Sequence, residues 1–309
     1  PVLLCPGLGT TPEAWPALGR YQSLNGEAPA PTLSSGGVRV LSWYHRGTMG
    51  SRRPLDESRI QLEDHVRDAV SVLDTARVRR CVVLGWSVGV MVATELALRY
   101  PERVSGLLLA AGVPGDLFGA MFGLFGIPTV VRRAFAVGGA HIIRAAGPLV
   151  DAVLHRVPVN LLTATLLRHT GLIRGQAKPI EVAGALRRFT QHDWRWYVTL
   201  ALAVGSVPSR DLGGITCPVT VLAGRYDLFA DPESTLRPVS SLPQARTRIL
   251  PTTHFMPLEA PGVIVEELGL LLDRVDAVER AREEVRPPRR EPIDALIPPA
   301  LTYGSRRRA

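Results

Sequence analysis

Three side chains of the 309-residue chain have types and an order that suit attack on a carbonyl at neutral pH: Ser87, Asp227 and His254. A serine hydroxyl is a weak nucleophile until a base takes its proton, and imidazole is the side chain suited to that at neutral pH. A carboxylate behind the imidazole holds its tautomer and steadies the imidazolium that forms. Ser87 lies in Gly85-Trp86-Ser87-Val88-Gly89, a G-x-S-x-G pattern. Asp227 follows "VTVLAG" in "GRYD", and His254 stands in "LPTTHFMPLEAP". Asp231 is a rival acid, but Pro232 after it fits a turn or helix start better.

The elements that must position these residues can be read around them. Cys81 to Leu84 is a short valine-rich run, the pattern of a strand buried on both faces. Val88 to Tyr100 has helical apolar spacing and ends at Pro101, which puts Ser87 on a tight strand-to-helix corner flanked by glycines. Pro218 to Ala223 and Thr247 to Leu250 read as the strands ahead of the acid and the histidine. Val38 to Trp43 reads as another strand and Asp56 to Thr75 as a helix with His65 on its surface; His45, in the loop after the strand, is structural or part of a pocket rim. The remaining histidines, His141, His155, His169 and His192, come too early in the chain to serve as the base.

With those residues in place, the chain resembles the α/β-hydrolase-fold serine enzymes over most of residues 1–275 outside a middle insertion. "VLLCPGLGT" resembles the strand and glycine-bearing oxyanion loop of that family, with Pro6-Gly7 where many members carry His-Gly. "YHRGTMGS" resembles its arginine-glycine loop, with His45 where an aspartate is usual, and "THFMPLEAP" resembles its histidine loop. The resemblance implies an α/β fold, a mostly parallel sheet flanked by helices, with an inserted helical cap. It implies Ser87, Asp227 and His254 as the triad, and backbone N–H groups of Leu8 and Val88 as oxyanion donors. Trp86, His45 and Phe255 are expected at the substrate pocket. The expected activity is hydrolysis of carboxylic esters with a hydrophobic acyl group through an acyl-enzyme, with no cofactor and no metal. Thioesters, lactones, carbon–carbon bonds and haloperoxidase-like chemistry remain open, as does a non-catalytic acyl-binding protein. "GWSVG" with "ALRYPERV" is similar to the pimeloyl carrier-protein methyl ester esterases, over the elbow and its helix alone.

The expected organisation is a core in two parts, 1–115 and 213–275, a helical cap over 116–212, and a tail from 276 to 309. Between 116 and 212 eleven basic residues face five acidic ones, so the cap carries six of the chain's eight net positive charges. A basic, apolar cap suits an ester or acyl substrate and could meet an acidic carrier or an anionic membrane surface. Lys178 is the sole lysine, which also fits an arginine-biased composition. No aromatic-basic stripe supports nucleic-acid binding. Pro128, Arg132, Arg133, Arg144 and Asp151 interrupt the apolar stretches before they reach membrane-spanning length. With 46% hydrophobic and 21% charged residues the composition is ordinary for a globular enzyme. Cys5, Cys81 and Cys217 lack metal spacing and read as buried reduced thiols, favouring a cytoplasmic setting. The chain opens at Pro1 with the strand that feeds the oxyanion loop, so one or two edge strands are expected ahead of it, where any export signal would also lie. The tail beyond Arg286 is expected to be an extended arm.

Overall fold

The computed structural model describes residues 1–10, 14–18, 38–174 and 176–284, with the backbone of 22–23. The expected arm beyond Arg286 lies outside these residues. Contacts divide the chain into Pro1–Val275 and Asp276–Ala309, the described part of the second being the last turns of a helix.

Among the described residues seven parallel strands form one sheet: β1 (Val2–Cys5), β2 (Gln22–Ser23), β3 (Val40–Ser42), β4 (Cys81–Trp86), β5 (Val104–Ala110), β6 (Val219–Gly224) and β7 (Ala245–Leu250), in the order β2-β3-β1-β4-β5-β6-β7. The central strands β1, β4, β5 and β6 are buried along their whole length and mostly apolar, with helices on both faces. Side chains alternate between two cores. Leu3, Val83 and Leu107 face α1 (Leu62–Thr75) and α2 (Val88–Arg99). Leu4, Leu84 and Leu108 face Trp15, Leu18 and the last long helix.

Between β5 and β6 the strands stop, and six helices follow: α3 (Leu117–Ala120), α4 (Thr129–Ala145), α5 (Gly147–Leu154), α6 (Leu161–Leu167), α7 (Pro179–Phe189) and α8 (Trp194–Gly205). The core resumes with α9 (Pro232–Leu236) after β6, then α10 (Met256–Glu259) and α11 (Pro261–Glu284) after β7. Asp231 caps α9 by accepting from the Ser234 amide at 3.0 Å, as its Pro232 neighbour suggests.

Two local expectations differ from the structure. The helix expected from Asp56 starts at Leu62. Asp56 instead closes a turn on the Ser58 amide, and Gln61 with Asp64 forms a capping box that fixes the start. His65 is not on the surface: it is 1% exposed, packed inward from α1 against His45. Its ring replaces an apolar core residue, so periodicity alone places it on either face.

Candidate active site

The corner after β4 is built by close approach. A Cβ on Gly89 would stand 2.0 Å from the Cys5 carbonyl oxygen, and one on Gly85 would stand 2.6 Å from the Gly89 oxygen. The unusual backbone angle belongs to the serine itself: Ser87 has φ 57° and ψ −124°, held by its amide on the Ala110 carbonyl at 3.1 Å. Such a conformation costs about 1–3 kcal/mol and persists where the surroundings over-determine it. It leaves the Ser87 side chain at the carboxyl end of the central strands, half-buried, where open parallel sheets place their ligands.

Two loops from later strands meet it. His254, in the loop after β7, places Nε2 2.9 Å from Ser87 Oγ. Its Nδ1 lies 2.9 and 3.1 Å from the two oxygens of Asp227, which is fully buried after β6. A carboxylate accepts, so Nδ1 carries the proton and Nε2 is left bare toward the serine hydroxyl. Asp227 is itself held by the amides of Phe229 and Ala230, each at 2.8 Å. The three residues picked from the sequence therefore meet in one chain of hydrogen bonds.

Leu8 and Val88 sit side by side in a small apolar cluster next to Ser87. Among the described residues neither amide has a hydrogen-bond acceptor. Gly9, with φ 72°, turns the chain just after Leu8. The insertion closes over this turn: Phe189, His192 and Tyr197 all crowd Gly9, and His192 Nε2 lies 3.2 Å from its carbonyl. Trp196, Leu200 and Val204 of α8 complete the cluster around Leu8 and Val88. Burial pushes the His192 ring below its ordinary value and the Tyr197 phenol above its own.

Of the three residues expected at the pocket, two are positioned otherwise. Trp86 is buried behind His254 and donates from Nε1 to the His254 carbonyl at 3.0 Å, with Trp15 edge-on to it. His45 is buried beneath the Leu8 loop, its Nε2 3.0 Å from the Pro6 carbonyl and its Nδ1 3.2 Å from His65 Nδ1. A carbonyl only accepts, so a neutral His45 donates to Pro6 and accepts from His65. Burial lowers the pKa of both rings, His65 more strongly. Phe255 is half-buried, edge-on to His254, where core and insertion clusters meet.

Two further residues carry weight that spacing did not single out. Glu259 is buried and accepts from the Thr253 amide at 2.9 Å, the Thr253 hydroxyl at 2.6 Å and the Arg174 amide at 2.9 Å. It ties the histidine loop to the insertion; a lone carboxylate within the apolar "FMPLEAP" was the available signal. Phe229 lays its ring 5.0 Å from His254, and only the fold brings those two together.

Among the described residues no group of three or more His, Cys, Asp or Glu is placed to hold a metal. The three cysteines are buried and in no disulfide, and burial raises the Cys81 thiol to about 11.

Comparison with known proteins agrees with this architecture. A family profile described as alpha/beta hydrolase fold matches residues 1–141. A protein of Variovorax paradoxus (strain S110), assigned as the carbamate hydrolase RutD, is 36% identical over 109 residues. That stretch is 35% of this chain and 36% of the relative, so the chain spans about a third of that protein's length. A carbendazim hydrolyzing esterase of Nocardioides sp. (strain SG-4G) is 28% identical over 254 residues, 78% of this chain and 91% of that one. Among solved structures, the enol-lactonase of Burkholderia xenovorans LB400 superposes with a TM-score of 0.63 at 21% identity, covering 88% of this chain and 90% of the lactonase. The chain thus has the α/β-hydrolase fold, a mostly parallel sheet flanked by helices.

Proposed function

We propose that the chain is a serine hydrolase that cleaves carboxylic esters, those with a hydrophobic acyl group foremost. The observation that carries the reading is the chain of hydrogen bonds from Ser87 Oγ through His254 to Asp227. Ser87 Oγ attacks the ester carbonyl as His254 Nε2 takes its proton, and the carbonyl oxygen becomes an oxyanion. The amides of Leu8 and Val88 receive that charge, and preorganised donors of this kind are worth roughly 3–4 kcal/mol each. Collapse of the intermediate expels the alcohol, protonated by His254, and leaves an acyl-enzyme. Water activated by the same ring then attacks the acyl carbon, and Ser87 is released.

The hydrophobic acyl preference is supported by what surrounds the serine: Leu8, Val88 and Leu200 on one side, Phe229 and Phe255 on the other. The relatives named as a carbamate hydrolase and a carbendazim hydrolyzing esterase support an ester or related acyl bond as the target. The insertion, α3 to α8, serves as the cap in this reading. The test is hydrolysis of nitrophenyl esters of graded chain length by wild type and Ser87→Ala. Turnover that rises from the acetyl to a medium-chain ester and vanishes in the variant supports the proposal. Turnover that survives in Ser87→Ala refutes it.

A further inference from the structure

Eighteen large apolar side chains stand exposed among the described residues, and fifteen of them lie between Leu124 and Ile180. On α4 they share a face. At about 100° per residue, Val131, Phe135 and Ile142 fall within about 40° of one another, with Gly138 between them. No charged residue joins that face. The arginines of α4 leave from the flank and the opposite side: Arg132 reaches Asp231 at 3.4 Å and Arg133 reaches Asp116 at 2.6 Å. The helix thus leaves an apolar side in solvent, the reverse of an ordinary surface helix, while Arg132 and Arg133 are held by ion pairs. Leu149 and Val153 on α5, and Leu162 and Leu166 on α6, are exposed as well.

Charge decides what covers it. The insertion holds six of the chain's eight net positive charges. Its five carboxylates are occupied locally: Asp116 by Arg133, Glu181 by Lys178, Asp193 by Arg53, Asp151 by the Trp194 amide and Asp211 by the Gly213 amide. Arg156, after α5, and Arg187, at the end of α7, are exposed and bond to the backbone carbonyls of Ala152 and Val159. Among the described residues neither has a carboxylate within ion-pair distance. A two-fold dimer would set this cationic patch against itself, whereas an anionic lipid surface complements it.

We propose that the outer face of the insertion seats on an anionic lipid bilayer. Helices α4 to α6 lie in the headgroup plane, with Phe135, Ile142 and Leu149 in the acyl boundary and Arg156 and Arg187 on lipid phosphates. A 79° bend separates α4 from α5, and among the described residues no single helix is long and apolar enough to cross a membrane. The inference does not rest on the chemistry of Ser87.

The experiment is co-sedimentation of the full chain with phosphatidylcholine vesicles, with and without phosphatidylglycerol. Wild type is expected to pellet with the mixed vesicles. Phe135→Glu/Ile142→Glu should weaken partitioning at least ~tenfold, since a charge placed in the acyl region is strongly disfavoured. Arg156→Glu/Arg187→Glu should weaken it on anionic vesicles alone, and added salt should remove that difference. All four positions are exposed, so thermal unfolding of both variants should match wild type. Wild type left in the supernatant with every vesicle overturns the proposal. So does a solution dimer that Phe135→Glu/Ile142→Glu splits without any vesicle binding.

Discussion

Gly89 and the Cys5 carbonyl lie so close that the first turn of α2 rests directly on the end of β1; a side-chain carbon at 89 would stand 2.0 Å from that oxygen. The contact couples the serine corner to the loop carrying Leu8, so both sides of the site share one backbone support. Gly89→Ala must push β1 and α2 apart. We expect it to cost about 3 kcal/mol, the upper end of the range for overpacking, read as a lower urea midpoint. A midpoint equal to wild type would show that the approach is not needed.

Asp227 fixes which His254 nitrogen carries the proton. Asp227→Asn keeps the shape and allows the amide to donate where the carboxylate accepted, which leaves His254 in the wrong tautomer. Turnover of a nitrophenyl ester should fall by about 10³–10⁴ with little change in KM, the size seen when the acid of a serine triad is neutralised. A loss confined to KM would assign Asp227 to binding instead.

Glu259 is predicted to matter although it is five residues past His254. Glu259→Ala leaves the Thr253 amide and hydroxyl and the Arg174 amide without their acceptor inside the protein. Unsatisfied buried donors cost about 1–3 kcal/mol. Both the unfolding midpoint and kcat should drop, with Glu259→Gln recovering part of each because one acceptor oxygen remains. Equal behaviour of the two variants would separate the carboxylate from the positioning of the loop.

The His45–His65 pair makes stability depend on pH in a definite direction. Burial lowers the pKa of both rings from the ordinary 6.5, and that of His192 as well. Above about pH 7.5 neither folded nor unfolded chain protonates them to any extent, and their contribution is complete. As pH falls further, the unfolded chain takes up protons that the folded one refuses. Each ring then removes up to about 1.4 kcal/mol of stability per pH unit until its folded pKa is reached. The urea midpoint should fall between about pH 7 and pH 5, and less steeply in His65→Gln. A midpoint that holds steady or rises would contradict the buried neutral pair.

Much of this arrangement was legible in the sequence because its signals are local. The valine run of β4, the helical spacing of α2 and the glycines between them define the corner within twenty residues. Strand-then-loop patterns located Asp227 and His254 in the same way. The unusual dihedral itself sits on Ser87, and the flanking glycines serve close approach. What escaped depends on contacts distant in the chain. Trp86 meets the His254 carbonyl across 168 residues, and His192 meets Gly9 across 183. His45 and His65 pair on the inner side of α1, where a periodic pattern reads a histidine as polar and sends it outward. The apolar character of the α4 stretch is legible in the sequence, but only the folded chain shows which of those side chains stay exposed.

The central claim is that Ser87 is a nucleophile activated by His254, and covalent labelling tests it most directly. Wild type and His254→Ala are treated with a fluorophosphonate, and the products are weighed and mapped by mass spectrometry. The account predicts one phosphonyl adduct per wild-type chain, on Ser87, and little or none on His254→Ala over the same time. A folded wild type that stays unlabelled, or one labelled elsewhere than Ser87, would contradict it.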